Sequence, residues 1–383
     1  MSTMETKNKI GMKVLCVFGT RPEAIKMAPV IKALRRRRSE IETVVCVTAQ
    51  HREMLDQVLT LFDIRPDYDL NLMQENQSLA GLTAGALTRL DATLGEARPD
   101  WVLTQGDTTT AMVATLAAFY HRVKVGHVEA GLRTWNKYHP FPEELNRKIA
   151  DAICDLHFAP TESARDNLRR EGVAAESILV TGNTVIDALL EVAARPYDWG
   201  GGPLAALPAD RRIILVTAHR RENFGPPFAE ICAALLEIAA RHPETHLVYP
   251  VHLNPNVQGV VRQTLDQAPN ITLLPPLDYL PLVQLLKRSY LVLTDSGGLQ
   301  EEAPGLGKPV LVLREVTERP EGVAAGTVRL VGTDRGRIVA EADRLLTDAA
   351  EYERMARAVN PYGDGQAGER IADQLSRAAA NQT

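Results

Sequence analysis

Short apolar runs alternate with amphipathic segments along most of the chain. KVLCVF at 13–18 and ETVVCVTA at 42–49 are each followed by a pattern with helical spacing, and WVLTQ at 101–105 continues the alternation. Continuously apolar strands are typical of a parallel sheet that is covered on both faces. The pattern therefore predicts a doubly wound α/β fold with right-handed crossovers.

The alternation is interrupted once, near residues 194–212, where the sequence ARPYDWGGGPLAALPADRR contains three glycines and three prolines. The βα pattern then restarts with RIILVTA at 212–218. We therefore predict two Rossmann-like domains, 12–193 and 210–360, joined by a linker at 194–209 and separated by a cleft.

The two halves also repeat each other in their strand-end loops. VLCVFGTRPEAIKMAPVIKAL and IILVTAHRRENFGPPFAEICAAL both indicate a strand, a basic loop and a helix. VLTQGDTTTAMVATLAA and VLTDSGGLQEEAPGLG both indicate a strand, a turn of small residues and a helix. Ligands of open α/β sheets bind at the carboxyl ends of strands, so these four loops are predicted to line the cleft.

The basic loop of the first domain contains Arg21, followed by Pro22 at the first turn of a helix. A helix N-terminus offers free N–H groups to an anion, and arginine adds a permanent charge with forked donors. This predicts a phosphate or substrate clamp, although a surface arginine at a helix start is the simpler alternative. GxGxxG is absent from both domain starts, so we expect no bound NAD.

TDSGGLQEEAP supplies a second candidate for anion binding, because Ser296, Gly297 and Gly298 allow close backbone approach at a helix start. Glu301 and Glu302 are placed in the first helical turn, where they either favour the helix dipole or accept from ribose hydroxyls.

Further basic residues follow other strands of the second domain: His219 and Arg220 in AHRREN, and Arg319 in TERPE. One such residue would be structural in most proteins. Several at the strand ends of one domain favour an anion site.

Three carboxylates are predicted opposite these cations. Asp107 follows a strand and could instead cap the next helix. Glu129 ends a mostly apolar strand, where a carboxylate is costly without partners. Glu143 begins a helix, and an i,i+4 pair with Arg147 is its structural alternative.

Charge and composition exclude several other classes. The net charge of −5 gives no reason to expect nucleic-acid binding, and no apolar run is long enough to span a membrane. The four cysteines form no CxxC pair, and the first residues lack a signal-peptide core, so a cytoplasmic protein is expected. No motif suggests a metal site. RRRR at 35–38 is interpreted as the solvated end of a helix.

Ten ordered motifs, from about residue 13 to about 380, carry a specific resemblance: GTRPEAIK, QHREMLDQVL, QGDTTT, HVEAGLRT, FPEELNR, GNTVIDAL, HRREN, DSGGLQEEAP, TERPE and NPYGDG. Together they resemble the non-hydrolysing UDP-N-acetylglucosamine 2-epimerases. The resemblance implies the GT-B architecture, with a C-terminal helix at about 364–380 crossing back to the first domain. It also implies a cytoplasmic homodimer that uses no cofactor and interconverts UDP-N-acetylglucosamine and UDP-N-acetylmannosamine.

The resemblance implies a functional role for each position that matches a family motif. The catalytic positions are Asp107, Glu129, Glu143 and His219. The positions that bind the UDP-sugar are Arg21, Lys26, Ser296, Gly297, Gly298, Glu302 and Arg319. The positions of a second, activating UDP-N-acetylglucosamine are Gln50, Glu143, Arg220 and His252. Glu53 replaces a glutamine and Asn76 an arginine of the activated relatives, which weakens the expectation of activation.

Epimerisation at C2 requires removal of a proton from a carbon that is not adjacent to a carbonyl, so simple enolisation is not available. Expulsion of UDP develops positive charge at C1, which makes C2–H acidic enough for a carboxylate to remove. Three alternatives remain open at this point: a GT-B glycosyltransferase, a hydrolysing epimerase and a nucleotide-sugar sensor without turnover.

Overall fold

The computed structural model describes residues 11–48, 52–72 and 77–380. The chain divides into an N-terminal unit, residues 1–188 with 363–383, and a C-terminal unit, residues 189–362. Each unit contains one parallel sheet flanked by helices, which confirms the predicted fold class. Across the described helices, none has the length and apolar composition needed to cross a membrane.

The described part of the N-terminal unit contains a seven-stranded sheet in the order β3-β2-β1-β4-β5-β6-β7. All its strand pairs are parallel. The strands are β1 Met12–Phe18, β2 Ile41–Val47, β3 Tyr68–Asp69, β4 Trp101–Gln105, β5 Lys124–Val128, β6 Leu156–Ala159 and β7 Ile178–Val180.

The helices of this unit cover both faces of the sheet, as the continuously apolar strands require. They are α1 Arg21–Arg36, α2 Arg52–Phe62, α3 Leu79–Ala97, α4 Thr109–Tyr120, α5 Glu143–Ile153, α6 Glu162–Arg170 and α7 Thr184–Ala193, with α15 Ala367–Ala380 from the chain end. In β1, six of the seven residues are buried, which follows from its apolar composition.

The C-terminal unit contains a six-stranded parallel sheet in the order β10-β9-β8-β11-β12-β13. The strands are β8 Arg212–Thr217, β9 Thr245–Pro250, β10 Ile271–Leu274, β11 Ser289–Thr294, β12 Val310–Val312 and β13 Val328–Leu330. The helices are α8 Pro226–Arg241, α9 Pro255–Leu265, α10 Tyr279–Arg288, α11 Gly297–Gly305, α12 Pro320–Ala325, α13 Arg335–Thr347 and α14 Ala349–Ala356.

Strand order reverses at one point in each sheet, between β1 and β4 in the first and between β8 and β11 in the second. Loops that leave the carboxyl ends of two such strands diverge to opposite faces and leave a crevice between them. Every loop singled out in the sequence follows a strand at or beside one of these two switch points.

The end of α7 is bonded to the C-terminal unit. Gln284, on α10, donates to the main-chain carbonyls of Val192 and Arg195, and Lys287 donates to that of Ala193. The unit division accordingly falls within α7, and residues 194–209 belong to the C-terminal unit, where they include a short 3-10 turn at Gly202–Leu204.

The last helix, α15, returns to the N-terminal unit and packs on α1. A β-carbon on Gly368 would lie 3.0 Å from the main-chain carbon and oxygen of Pro29, so glycine permits the close approach of the two helices. Asp187 of α7 accepts from the N–H groups of Ala367 and Gly368 at 3.2 and 2.8 Å. The crossing predicted by the family resemblance is therefore confirmed.

Two arginines of RRRR hold this crossing. Arg36 pairs with Glu369, and Arg37 pairs with both Glu369 and Asp373 of α15. Arg37 also donates to the carbonyl of Ala33 at 2.9 Å. The interpretation of the whole run as a solvated helix end is therefore wrong, because the consecutive Arg36 and Arg37 both pair with the returning helix.

We expect Arg37→Ala to cost about 1 kcal/mol of unfolding free energy, since it removes two carboxylate contacts and one carbonyl contact at once. Arg38→Ala is the matched control, because Arg38 is exposed and has no ion pair among the described residues. Urea unfolding of both variants measures the difference. Equal losses in the two variants would show that the pairs with α15 contribute nothing.

Candidate functional site

The N-terminus of α1 is capped by its own side chains. Thr20 is the N-cap and Glu23 completes a capping box, accepting from the N–H groups of Gly19 and Thr20 at 3.0 and 2.7 Å. Pro22 has no N–H, and the N–H of Glu23 donates to the Thr20 hydroxyl. The capping box therefore occupies the N–H groups of Gly19, Thr20 and Glu23, which reduces what this helix start can offer an anion.

Glu23 also ties α1 to the next strand-end loop. The hydroxyl of Thr108 donates to its Oε1 at 2.6 Å, and Thr108 is in turn the N-cap of α4. Burial raises the pKa of Glu23, while the hydrogen bonds from Thr108, Gly19 and Thr20 lower it. Any anion binding in this loop then falls to the side chain of Arg21, which is half-buried at the first position of α1.

Glu129 follows β5 and is the most enclosed of the three candidate carboxylates, at 7% exposure. Lys26, one to two turns along α1, bonds both of its oxygens at 2.7 and 2.6 Å. Gln105 at the end of β4 donates to Oε2, and Asn183 after β7 donates to Oε1 at 3.2 Å. These donors balance the desolvation cost that the sequence pattern indicated.

The backbone of Glu129 is held in the left-handed region, with φ of +67°. A residue with a β-carbon costs about 1–3 kcal/mol in this conformation. Both Glu129 and Ala130 donate their N–H groups to the carbonyl of Phe158 on β6, at 3.0 and 3.1 Å. The strained backbone turns the Glu129 side chain toward the switch point between β1 and β4.

Asp107 follows β4 and is held by α5. Arg147 donates to its Oδ2 through Nε and Nη2 at 3.0 and 2.6 Å, and Asn146 donates to its carbonyl at 2.9 Å. The cap of α4 is Thr108, whose hydroxyl accepts from the N–H of Ala111. The alternative role of Asp107 as a helix cap is therefore wrong, and its carboxylate is partly exposed.

Glu143 is the first residue of α5 and is half-buried. The expected i,i+4 pair with Arg147 does not form, because Arg147 bonds Asp107 and Glu144 instead. Lys148 pairs with Glu171, and Glu143 has no ion pair among the described residues. The structural explanation for Glu143 is therefore wrong, and its carboxylate begins the helix whose next turn holds Asp107.

A buried ion-pair network that sequence reasoning missed lies behind these carboxylates. His127 of β5 is fully buried, and its Nδ1 and Nε2 lie 2.5 Å from Asp151 and 2.7 Å from the carbonyl of Gly106. Arg133 donates to the other oxygen of Asp151 at 2.7 Å. The only signal in the sequence was a histidine within an apolar strand, with no spacing that identified its partners.

The charges of this network shift the pKa of its members. Burial alone lowers the pKa of His127, but Asp151 raises it above the ordinary histidine value overall. Burial raises the pKa of Asp151, but His127 and Arg133 outweigh burial and lower this pKa to about 2. The aspartate is therefore ionised at neutral pH, and its charge favours the protonated form of the imidazole.

In the C-terminal unit, one buried carboxylate organises the basic loop after β8. Asp295, directly after β11, accepts through Oδ2 from the N–H groups of His219 and Arg220, both at 2.7 Å. Within the described residues its Oδ1 has no hydrogen-bond partner, and it lies 3.7 Å from Nδ1 of His219. Asp295 is thus a further candidate site residue, and nothing in TDSGG indicates its partners, because they come from the loop after β8.

The ring of His219 stacks on that of His252, with centroids 5.0 Å apart and an angle of 9°. Burial lowers the pKa of His219, and His252 and Arg220 lower it further, against an opposing effect of Asp295. His219 is therefore mostly a neutral donor at neutral pH.

The N-terminus of α11 is open, in contrast to that of α1. Ser296 is its N-cap and makes no side-chain cap hydrogen bond in the part of the chain that the structure describes, and Gly297 and Gly298 form the first turn. A guanidinium nitrogen of Arg220 lies 3.8 Å from the place of a β-carbon on Gly297. Uncapped N–H groups beside a guanidinium are the arrangement that binds phosphate.

Glu301 and Glu302 lie in the second turn of α11, because the helix begins at Gly297. Their predicted place in the first turn, and the dipole role with it, is therefore wrong. Glu301 is buried and pairs with the guanidinium of Arg319. The main-chain N–H of Arg319 donates to the Thr317 hydroxyl at 3.0 Å. Glu302 is half-buried, with Oε1 3.5 Å from the place of a β-carbon on Gly298.

The candidates for an activating site are placed only in part. Gln50 and Asn76 lie outside the described residues. Glu53 is exposed on α2, and His252 is exposed and stacked on His219. In the part of the chain that the structure describes, no three His, Cys, Asp or Glu side chains are arranged to hold a metal ion.

Comparison with known proteins identifies the family. The sequence profile described as UDP-N-acetylglucosamine 2-epimerase matches residues 32–376. This chain belongs to the UDP-N-acetylglucosamine 2-epimerase family. It is 58% identical over 370 residues to the UDP-N-acetylglucosamine 2-epimerase of Escherichia coli strain K12, covering 95% of this chain and 98% of that protein.

Two further members of the epimerase family support this assignment. The UDP-N-acetylglucosamine 2-epimerase of Bacillus subtilis strain 168 is 53% identical over 364 residues, covering 95% of each chain. The crystal structure of UDP-GlcNAc 2-epimerase from Neisseria meningitidis bound to UDP-GlcNAc superposes with a TM-score of 0.86 at 48% identity, covering 96% of this chain and all of that one. The resemblance drawn from ordered motifs is thus confirmed at the level of the family.

The His127–Asp151 pair predicts a pH dependence of stability. The raised pKa of His127 stabilises the fold fully below the ordinary histidine value of about 6.5, and this stabilisation is lost as the pH rises through the folded pKa. The lowered pKa of Asp151 stabilises the fold above about pH 4, and this stabilisation is lost as the pH falls toward 2.

We therefore expect the Tm advantage of the wild type over His127→Gln to be largest at about pH 5–6 and to shrink toward both pH extremes. Differential scanning fluorimetry across this range measures it, and taking the difference cancels the titration of other groups. An advantage that grew with rising pH would contradict a cationic His127.

Proposed function

We propose that this chain is a non-hydrolysing UDP-N-acetylglucosamine 2-epimerase, which interconverts UDP-N-acetylglucosamine and UDP-N-acetylmannosamine. The single observation that carries the proposal is the Glu129 carboxylate, buried yet bonded by Lys26, Gln105 and Asn183 at the carboxyl end of β5. The names of the family relatives supply the substrate class.

The proposed division of labour follows the two units. Asp107, Glu129 and Glu143 perform the proton transfers at the sugar, assisted by Arg21 and Lys26 of α1. The C-terminal unit holds UDP: the open N-terminus of α11 and Arg220 bind the diphosphate, with His219 as a neutral donor to it. Glu302 accepts from the ribose hydroxyls, and Glu301 orients Arg319 for the leaving group.

The proposed reaction has two halves. In the first, the C1–O bond breaks with its electron pair moving to the β-phosphate oxygen of UDP, a carboxylate removes the C2 proton, and a C1=C2 double bond forms. In the second, UDP oxygen adds back to C1 while C2 receives a proton on the opposite face. A carboxylate on each face accounts for both proton transfers, and the cations stabilise departing UDP.

Three further expectations belong to this proposal and rest chiefly on the resemblance. The protein is a cytoplasmic homodimer, and its four cysteines, all free, suit a reducing compartment. No cofactor takes part. An activating UDP-N-acetylglucosamine would use Gln50, Glu143, Arg220 and His252. Asn76 stands in place of an arginine of the activated relatives, which weakens the expectation of activation.

Conservative changes of the carboxylates test their roles. We expect Glu129→Gln, Glu143→Gln and Asp107→Asn each to lower kcat at least about 100-fold, the scale of general acid–base catalysis. Glu162→Gln on the exposed face of α6 is the control, expected to keep wild-type kcat. Circular dichroism establishes that each variant is folded. Near-normal kcat in all three site variants would remove the carboxylate mechanism.

Proton NMR in D₂O with UDP-N-acetylglucosamine as sole substrate tests the overall reaction. We expect UDP-N-acetylmannosamine carrying deuterium at C2, without added NAD or metal, because the C2 proton passes to a carboxylate that exchanges with solvent. Free N-acetylmannosamine as the main product would indicate a hydrolysing epimerase. No conversion without an acceptor would favour a glycosyltransferase or a sensor, and retained hydrogen at C2 would exclude elimination.

A further inference from the structure

His127 has an arrangement that a neutral imidazole cannot satisfy. Its two ring nitrogens contact the Asp151 carboxylate at 2.5 Å and the Gly106 carbonyl at 2.7 Å. A carbonyl oxygen only accepts, so Nε2 carries a proton. Asp151 also accepts from Arg133 and from the N–H of Gly131, which keeps it ionised, so Nδ1 carries a proton as well.

A buried cation is a costly way to stabilise a core. An ion pair removed from water gains little over apolar side chains of the same volume, because the desolvation cost offsets the attraction. His127 is fully buried, on a strand whose other inward residues are apolar. Two simultaneous donors at this point are therefore better explained by the geometry that they impose than by the stability that they add.

That geometry is imposed on the turn that carries Asp107. Gly106 has φ of +72°, and both of its main-chain groups are bound to β5: its N–H donates to Val128 at 3.0 Å, and its carbonyl accepts from His127. The next residue is Asp107, whose carboxylate is held from the other side by Arg147. The contacts of the Gly106 main chain and those of Arg147 with the carboxylate thus together set the direction of the Asp107 side chain.

We propose that His127 is a positioning residue of epimerisation, whose doubly protonated ring fixes the Gly106 carbonyl and thereby aims the Asp107 carboxylate. This inference rests on the proposed function of Asp107. His127 is fully buried and acts through Gly106, without touching the substrate. The charged and titratable groups that face it are Asp151 of α5, Arg133 after β5 and His157 of β6, which bonds the Asp151 carbonyl at 2.8 Å.

Two substitutions separate the two contacts of the ring. The amide nitrogen of asparagine takes the place of Nδ1 and keeps a donor to Asp151, whereas that of glutamine takes the place of Nε2 and keeps a donor to Gly106. If His127 positions Asp107, His127→Asn lowers kcat about 100-fold with KM little changed, the scale of a misplacement of about 1 Å, and His127→Gln retains most of kcat.

Stability should follow the opposite order. His127→Gln leaves the buried Asp151 without its histidine partner, so its Tm falls below that of His127→Asn. The kcat order and the Tm order therefore differ if His127 is a positioning residue, and they agree if it is only structural. His157→Asn is the control: it removes a hydrogen bond to the same Asp151, and we expect a lower Tm with wild-type kcat.

A double variant tests whether the effect passes through Asp107. The kcat of the double variant His127→Asn, Asp107→Asn should be about that of Asp107→Asn alone. Once the Asp107 carboxylate has been removed, a change in its position has no further effect on kcat. Multiplied losses would overturn the route through Asp107. The ¹⁵N NMR spectrum of the wild-type protein should show both His127 ring nitrogens protonated at neutral pH, independently of activity.

Each remaining outcome is decisive. A singly protonated His127, or kcat that falls more in His127→Gln than in His127→Asn, would overturn the positioning role and leave the proposed function intact. A wild-type protein that does not epimerise UDP-N-acetylglucosamine in the same assay would overturn the proposed function and this role together.

Discussion

The interaction on which the first unit depends is the set of hydrogen bonds to one buried carboxylate. Glu129 receives donors from α1, from the end of β4 and from the loop after β7, three segments far apart in the sequence. A buried charge with any donor missing is strongly unfavourable, so the three segments must arrive together. The same bonds hold a backbone that would relax from its left-handed conformation if it were free.

The two switch points use a similar plan with opposite electrostatics. In the first unit the start of the helix that follows β1 is capped by its own Glu23, and the segments after β4 and β5 supply the carboxylates Asp107, Glu129 and Glu143. In the second unit the buried carboxylate, Asp295, sits behind the loop and binds its main chain, which leaves the α11 N-terminus open. One unit therefore suits proton transfer, and the other suits an anion.

The sequence predicted the repeated βα pattern, both sheets and the strand-end loops, because apolar strands and turn chemistry are local signals. It did not predict which side chains meet. Arg147 was paired with Glu143 by helical spacing, yet its closest partner is Asp107, forty residues earlier. No local signal distinguishes Glu23 or His127, because their partners come from other segments. The roles carried over from the family resemblance remain predictions.

The return of α15 to α1 has a consequence for biosynthesis. The C-terminal unit is one continuous stretch of chain, whereas the N-terminal unit lacks α15 until the residues that follow the C-terminal unit have been made. During translation, Pro29 and the apolar positions beside it on α1 wait for Gly368 while more than three hundred residues are added, including the whole C-terminal unit. All residues of the second unit are therefore available for folding before the first unit has received its last helix.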